Sequence, residues 1–259
     1  MNPIYDSIGH GYTATRAADS RISHRLEHLL ALEPGAHLLD IGAGTGNYSC
    51  ELAKAGYEVT ALEPSEIMRE QGKQHPKLSW ESGYAEKLPF DDNSFDGVMM
   101  TLCMHHFSDW KQALREAIRV TAKGPIVILS FDAESPPPFW LIDYFPSFLE
   151  NDKEQFPKLS EMAVFIEEEL SRDLEIQAFP LPRDLKDHFL AAGWSRPEIY
   201  LDPAYRAGIS SFSITEQSQV ERGLKELEAD LSSGEWVRRY GSILETTELD
   251  VGYVFLRIR

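Results

Sequence analysis

Residues 38–47 read Leu-Leu-Asp-Ile-Gly-Ala-Gly-Thr-Gly-Asn: an apolar run that stops at three alternate glycines and then opens into helix-forming sequence. A side chain at any of these glycines obstructs a ligand pressed against the backbone, and the helix start supplies free N–H groups that face it. Such a strand–turn–helix has a natural place in an open α/β sheet, where ligands lie across the carboxyl ends of the strands.

The flanking sequence agrees. Ile22, Leu26, Leu29 and Leu30 recur at helical spacing over residues 18–32. Strands are predicted at 37–41, 58–63, 78–82, 95–100 and 125–131, alternating with helices at 48–55, 64–72 and 110–121; Gly56 is the expected C-cap of the first of these. Regular βα alternation implies a parallel sheet covered on both faces. From Asp132 to about Pro182 it breaks down into a proline cluster and many aromatics, with a helix around 160–170 and no convincing core strand. Beyond it a helix is expected over 183–192, a strand over 198–201 and a final strand over 252–258. A long helix is predicted over 213–231, opened by a Ser213/Glu216 capping box and burying Val220, Leu224, Leu227 and Leu231.

Composition excludes several classes. The 259 residues carry 42 Asp+Glu against 25 Lys+Arg, a net charge of −17, without the basic clusters that nucleic-acid phosphates require. No apolar run reaches the ~18 residues of a membrane helix, and Met1 to His10 lacks a signal-peptide pattern. The two cysteines, Cys50 and Cys103, fit a reducing cytoplasm and provide no disulfide framework; no metal set is expected.

Glu63 follows Asp40 by 23 residues, at the end of the next strand, where a carboxylate is placed to accept hydrogen bonds from both ribose hydroxyls of an adenosine-containing ligand. The dinucleotide fingerprint is Gly-x-Gly-x-x-Gly; this chain has Gly-x-Gly-x-Gly preceded by Asp40. That spacing disfavours a nicotinamide-dependent reductase.

The combination resembles motif I of the class I S-adenosylmethionine-dependent methyltransferases. The likeness continues through Glu63-Pro64-Ser65 with Met68, through Gly83-Tyr84-Ala85-Glu86-Lys87-Leu88-Pro89-Phe90, through Phe95 to Asp109 with Leu102, His105 and His106, and through Arg115-Glu116-x-x-Arg119-Val120. The Gly83–Phe90 stretch is similar to that of the ubiquinone/menaquinone-type subgroup. Gly124-Pro125 stands where the family usually has a glycine pair.

The resemblance implies an α/β, doubly wound, Rossmann-like, seven-stranded and mostly parallel sheet with an antiparallel last strand, plus a helical cap. It also implies S-adenosyl-L-methionine as cofactor, with Asp40, Gly42, Ala43, Gly44 and Gly46 around its methionine part. Glu63 and Pro64 would lie at the ribose, and Met68, Ala85 and Glu86 near the adenine, with Leu102 at the end of the fourth strand. An aromatic and basic lead-in like that of many small-molecule members makes Tyr12 and Arg16 candidates for the cofactor carboxylate, Arg being suited to bidentate pairing; the alternative is a solvated lead-in with a surface arginine.

The expected organisation is a lid and first helix over 1–36, a methyltransferase core over 37–131 and 183–259, and a cap over 132–182. His105 and His106 have two readings: one contacts or deprotonates the acceptor, or the pair is a structural feature of its loop. Phe139, Trp140, Phe145, Tyr205 and Phe212 either line a site for a lipophilic or aromatic small-molecule acceptor or form the cap's own core. The expected activity is methyl transfer to oxygen, nitrogen or carbon by in-line displacement; a non-catalytic cofactor-binding or regulatory protein on the same fold is the alternative.

Overall fold

The computed structural model describes residues 16–121 and 123–259. Helix α1 (Ser20–Leu30), capped by the Asp19 side chain on the Arg21 N–H, leads into β1 (His37–Ile41). There follow α2 (Asn47–Ala55), β2 (Glu58–Leu62), α3 (Glu66–Glu70), β3 (Leu78–Glu81), β4 (Gly97–Thr101), α4 (Trp110–Thr121) and β5 (Ile126–Phe131). The rest comprises α5 (Leu141–Tyr144), α6 (Pro146–Gln155), α7 (Leu159–Val164), β6 (Leu174–Ala178), β7 (Leu181–Pro182), α8 (Pro203–Arg206), α9 (Ser210–Ile214), α10 (Gln217–Ser233), α11 (Glu235–Tyr240), β8 (Glu248–Leu249) and β9 (Tyr253–Ile258).

Seven strands form one sheet in the order β3-β2-β1-β4-β5-β9-β6. β1 to β5 pair in parallel, and β9 lies antiparallel between β5 and β6, as the resemblance implies. Strand alternation sends Leu38, Val127 and Leu129 to the core beneath α1 and α2, and Leu39, Ile41, Ile126 and Ile128 to the core beneath α4 and α7. The strand order reverses between β1 and β4, so a crevice opens at the carboxyl ends of those two strands.

A third core is separate from the sheet. Trp140, Tyr144, Phe145 and Phe148 from α5, α6 and their approach pack with Tyr200, Tyr205, Leu227 and Trp236. The cap is therefore assembled from both 139–156 and 197–245, not from 132–182 alone. Gly223 permits the crossing, because a Cβ there would stand 2.4 Å from the Tyr144 carbonyl oxygen.

Four local expectations are corrected. β6 lies inside the segment read as strandless; it is an edge strand with half-exposed side chains, Ile176 among them, so no alternation marks it. Residues 183–189 form no helix, because the Asp187 side chain is drawn inward to Tyr48 and Arg16; only a 3₁₀ turn at Leu190–Gly193 remains. Residues 197–201 form a 3₁₀ helix instead of a strand: Pro197 opens it, and β6 already holds the edge of the sheet next to β9. The long helix starts at Gln217 with Glu216 itself as cap, accepting from the Ser218 N–H, while Ser213 belongs to α9.

Trp140 is 4% exposed and donates its indole N–H to the Trp194 carbonyl at 2.8 Å. Trp140→Ala is expected to lower stability by ~3–5 kcal/mol in urea denaturation; a loss below ~1 kcal/mol, the scale of an ordinary surface change, would show that the cap core does not contribute to the cooperative unit.

Candidate functional site

The crevice at the strand ends is a cavity of about 670 Å³, within the range of small-molecule and cofactor sites. Its floor is the loop after β1. Gly42, Gly44 and Gly46 all have left-handed backbones, φ 71°, 59° and 72°, which glycine adopts without a Cβ penalty. The Gly42 and Ala43 N–H groups donate to the Leu62 carbonyl at 2.9 and 3.1 Å, tying the loop to the end of β2. A Cβ on Gly42 would stand 2.7 Å from the Cys103 Cβ, so the loop and the end of β4 approach as closely as glycine permits.

Two carboxylates stand on this floor. Glu63, 6% exposed, accepts from the Gly44 N–H at 2.9 Å through one oxygen and from the Ser65 N–H at 3.0 Å through the other. Ser65 in turn caps α3 through the Met68 N–H, which sets Met68 in the cavity wall beside Pro64. Asp40, 2% exposed, accepts from the Ser49 hydroxyl on α2 through one oxygen; its other oxygen is buried with no hydrogen-bond partner among the described residues. Burial, with the neighbouring Glu63 charge adding to it, pushes the Asp40 carboxyl up to about 7. An acceptor left unpaired in this way is costly in an apolar interior.

The far wall is the turn after β4. Leu102 holds a left-handed backbone, φ 53°, a strained conformation for a branched residue and one that clusters at functional sites. It turns the chain so that His105 and His106 follow in a 3₁₀ turn. The His105 ring stacks on Phe156 with centroids 4.4 Å apart, and its Nδ1 is buried without a partner among the described residues. Burial, with the neighbouring Arg16 charge adding to it, holds His105 well below the ordinary imidazole range, so that ring is neutral at pH 7.

The cavity gathers Arg16, Asp40, Gly42, Ala43, Gly44, Glu63, Pro64, Met68, Ala85, Glu86, Leu102, His105 and His106. Two expected residues are not among them. Gly46 turns away into α2, where a Cβ would meet the Trp80 ring at 2.7 Å, so its glycine serves the packing of that helix. Tyr12 lies outside the described residues. Glu86 does line the cavity, but its carboxylate also accepts from the Ser108 and Asp109 N–H groups at 2.7 and 3.3 Å and so fastens the turn that enters α4. Phe139, Trp140, Phe145, Tyr205 and Phe212 pack in the cap core and line none of this cavity.

Sequence reasoning missed Asp187. It is 1% exposed, is paired with the Arg16 guanidinium, and accepts from the Tyr48 hydroxyl at 2.9 Å. Its partners are 139 and 171 residues away in the chain, so no local pattern announces it. Cys103 donates its thiol to the Ile41 carbonyl, and burial raises it well above the ordinary thiol range, which makes it an inert packing group.

Comparison with known proteins agrees with this geometry. Residues 39–129 match the family described as Methyltransferase domain. A demethylmenaquinone methyltransferase of Corynebacterium efficiens is 30% identical over 200 residues, covering 74% of this chain and 84% of that protein. A solved structure from Anabaena variabilis, described as a candidate methyltransferase of an antibiotic biosynthesis pathway, is 45% identical over 95% of this chain and 99% of its own, with a TM-score of 0.91. Phosphoethanolamine N-methyltransferase 2 of Haemonchus contortus, solved with S-adenosyl-L-methionine, shares the fold at 15% identity and a TM-score of 0.61, over 98% of this chain and 55% of that one.

Gly42→Ala is expected to cost about 1–3 kcal/mol for the left-handed backbone and a similar amount, about 1–3 kcal/mol, for the clash with Cys103. A double-mutant cycle with Cys103→Gly, followed by urea denaturation, should recover the second part as a coupling energy above ~1 kcal/mol; zero coupling would refute the close-approach account.

Proposed function

The chain belongs to the class I S-adenosylmethionine-dependent methyltransferases of the ubiquinone/menaquinone type, and from that premise we propose how its residues divide the work of methylating a small, lipophilic acceptor. When bound, S-adenosyl-L-methionine supplies an electrophilic methyl group on a sulfonium centre. The sheet side of the cavity holds that cofactor, and the acceptor enters from the side of the cap.

The unpaired oxygen of Asp40 is the observation that carries the assignment. A buried carboxylate oxygen lacking a donor beside a glycine-lined floor fits the ammonium of an amino-acid moiety. Each oxygen of Glu63 accepts one backbone N–H, which fixes the carboxylate at the strand end where it would meet the ribose hydroxyls. Gly42, Ala43 and Gly44 keep the floor clear, and Pro64, Met68, Ala85, Glu86 and Leu102 form the walls of the nucleoside part. Arg16, held by Asp187, is placed to pair with the cofactor carboxylate.

Transfer to an acceptor is a displacement in line with the departing sulfur, so these residues contribute chiefly by holding the reactants in register and excluding water. The low basicity of His105 favours a positioning role for that ring over proton abstraction. A lipophilic acceptor accords with the apolar side chains that line the cavity, among them Phe107 and Ile214.

Calorimetry with S-adenosylhomocysteine tests the cofactor assignment directly; tight binding of NAD(H) and none of S-adenosylhomocysteine would overturn it. Glu63→Gln is expected to raise Kd by one to two orders of magnitude, a charge-assisted hydrogen bond being worth ~1.5–3 kcal/mol.

The pH dependence has a definite sign. Below about 7 the free protein carries Asp40 protonated, and an incoming ammonium must displace that proton. Affinity should therefore fall as pH drops from 7.5 to 5.5, by up to about tenfold per pH unit. Asp40→Asn should flatten the profile; an unchanged slope in that variant would assign the titration to another group.

A further inference from the structure

Beside the main cavity lies a second, smaller space of about 70 Å³, room for a few water molecules or one head group. Arg16, Leu102, His105, Gln155 and Ile214 face both spaces, so the small chamber adjoins the large one at the His105 turn. Part of its wall is aromatic: Phe131 and Phe156 meet with ring centroids 5.7 Å apart, and Phe131 and Tyr253 with centroids 5.3 Å apart. Into this space, shared with the polar groups of Gln155, Ser210 and Ser211, α6, which packs against the His105 turn, brings one carboxylate, Asp152.

No hydrogen bond or ion pair from any described residue reaches the Asp152 side chain. The other titratable groups in the chamber leave it uncompensated. Arg16 is committed to Asp187, His105 is neutral, and burial holds Tyr253 in its neutral phenol form. A half-buried acid without a partner costs stability, and nothing in the packing of the cap requires one here.

Building on the cofactor assignment above, we propose that Asp152 is the group that meets the methyl acceptor, taking the proton of a neutral aryl hydroxyl held against the aromatic walls. In that step the O–H bond breaks and its proton passes to the Asp152 carboxylate. The freed electron pair on oxygen forms the bond to the methyl carbon as the carbon–sulfur bond breaks towards sulfur. An ammonium head is disfavoured: a carboxylate would hold it in its protonated form, which has no lone pair to attack, whereas a hydroxyl keeps one on the atom whose proton is taken. Burial alone raises the Asp152 carboxyl to about 7, and a base is most effective with its pKa near the working pH.

The test compares wild type with Asp152→Asn, both saturated with S-adenosylhomocysteine, using 4-nitrophenol as probe because its absorbance separates phenol from phenolate. A carboxylate favours the hydrogen-bonding phenol and repels the phenolate. The phenol–phenolate midpoint of bound probe should therefore lie about one pH unit or more above that of free probe on wild type, and return to the free value on Asp152→Asn. Equal midpoints on the two proteins, or no binding of 4-nitrophenol to wild type, would overturn the assignment. So would benzylamine binding that Asp152→Asn weakens by about tenfold or more while the nitrophenol midpoint stays put.

Stability gives an independent reading. A carboxyl whose folded pKa is raised costs stability once the pH passes its unfolded value, and the full cost is present above the folded one. Asp152→Asn should therefore raise the thermal midpoint at pH 8 and change it less at pH 5; a lower midpoint at pH 8 would assign Asp152 a structural bond and overturn the proposal. Affinity for S-adenosylhomocysteine should match wild type within about twofold, since removing a group that does not touch the cofactor leaves its binding free energy in place. Failure of wild type to bind S-adenosylhomocysteine would instead sink the cofactor assignment on which the proposal rests.

Discussion

The fold's functional geometry depends on how the β1–α2 loop is fastened. Gly42 and Ala43 donate to the last carbonyl of β2, and Gly44 donates to Glu63 one residue further on. Three successive N–H groups are thereby fixed by the neighbouring strand. The loop lies flat across two strand ends, and the cavity floor stays free of side chains. The approach of Cys103 to Gly42 then sets the distance between the floor and the turn after β4. The Leu102 backbone, held left-handed, pays for that turn.

Charge is distributed very unevenly around this floor. Most of the carboxylates that give the chain its net charge of −17 are solvated, as along α10. Asp40, Glu63 and Asp187 are each nearly inaccessible, and each stands at the cavity. They are satisfied differently. Glu63 is held by backbone N–H groups and Asp187 by Arg16 and Tyr48, whereas Asp40 keeps one oxygen unpaired. A cationic group would complete the last of these at least cost, because the desolvation has already been met by the fold.

The cap follows another logic. Its core is built of aromatic rings meeting edge to face, such as Trp140 with Trp236 and Phe148 with Phe212, and these residues stabilise the cap without facing the ligand space. Only its inner edge does so, through Gln155 and Ile214 beside the main cavity and through Asp152 and Phe156 beside the small chamber. The aromatics that stand out in the sequence are thus core, and the residues that meet the site are ordinary-looking members of helical turns.

The sequence by itself determined the sheet from β1 to β5 and the glycine-lined cavity floor. There the information is local: a buried parallel strand is a short apolar run, and each glycine and strand-end acid marks a fixed point along the crevice. Tertiary structure alone decided the rest. β6 is an edge strand whose partner among the described residues, β9, is nearly eighty residues further along the chain, so no periodicity betrays it. Asp187 becomes a site residue because two distant groups capture it, overriding the helical propensity of its own segment. The cap joins 139–156 to 197–245, and Asp152 acquires its character only when α6 settles against the His105 turn. Burial and pairing are properties of such long-range contacts, and a one-dimensional pattern does not carry them.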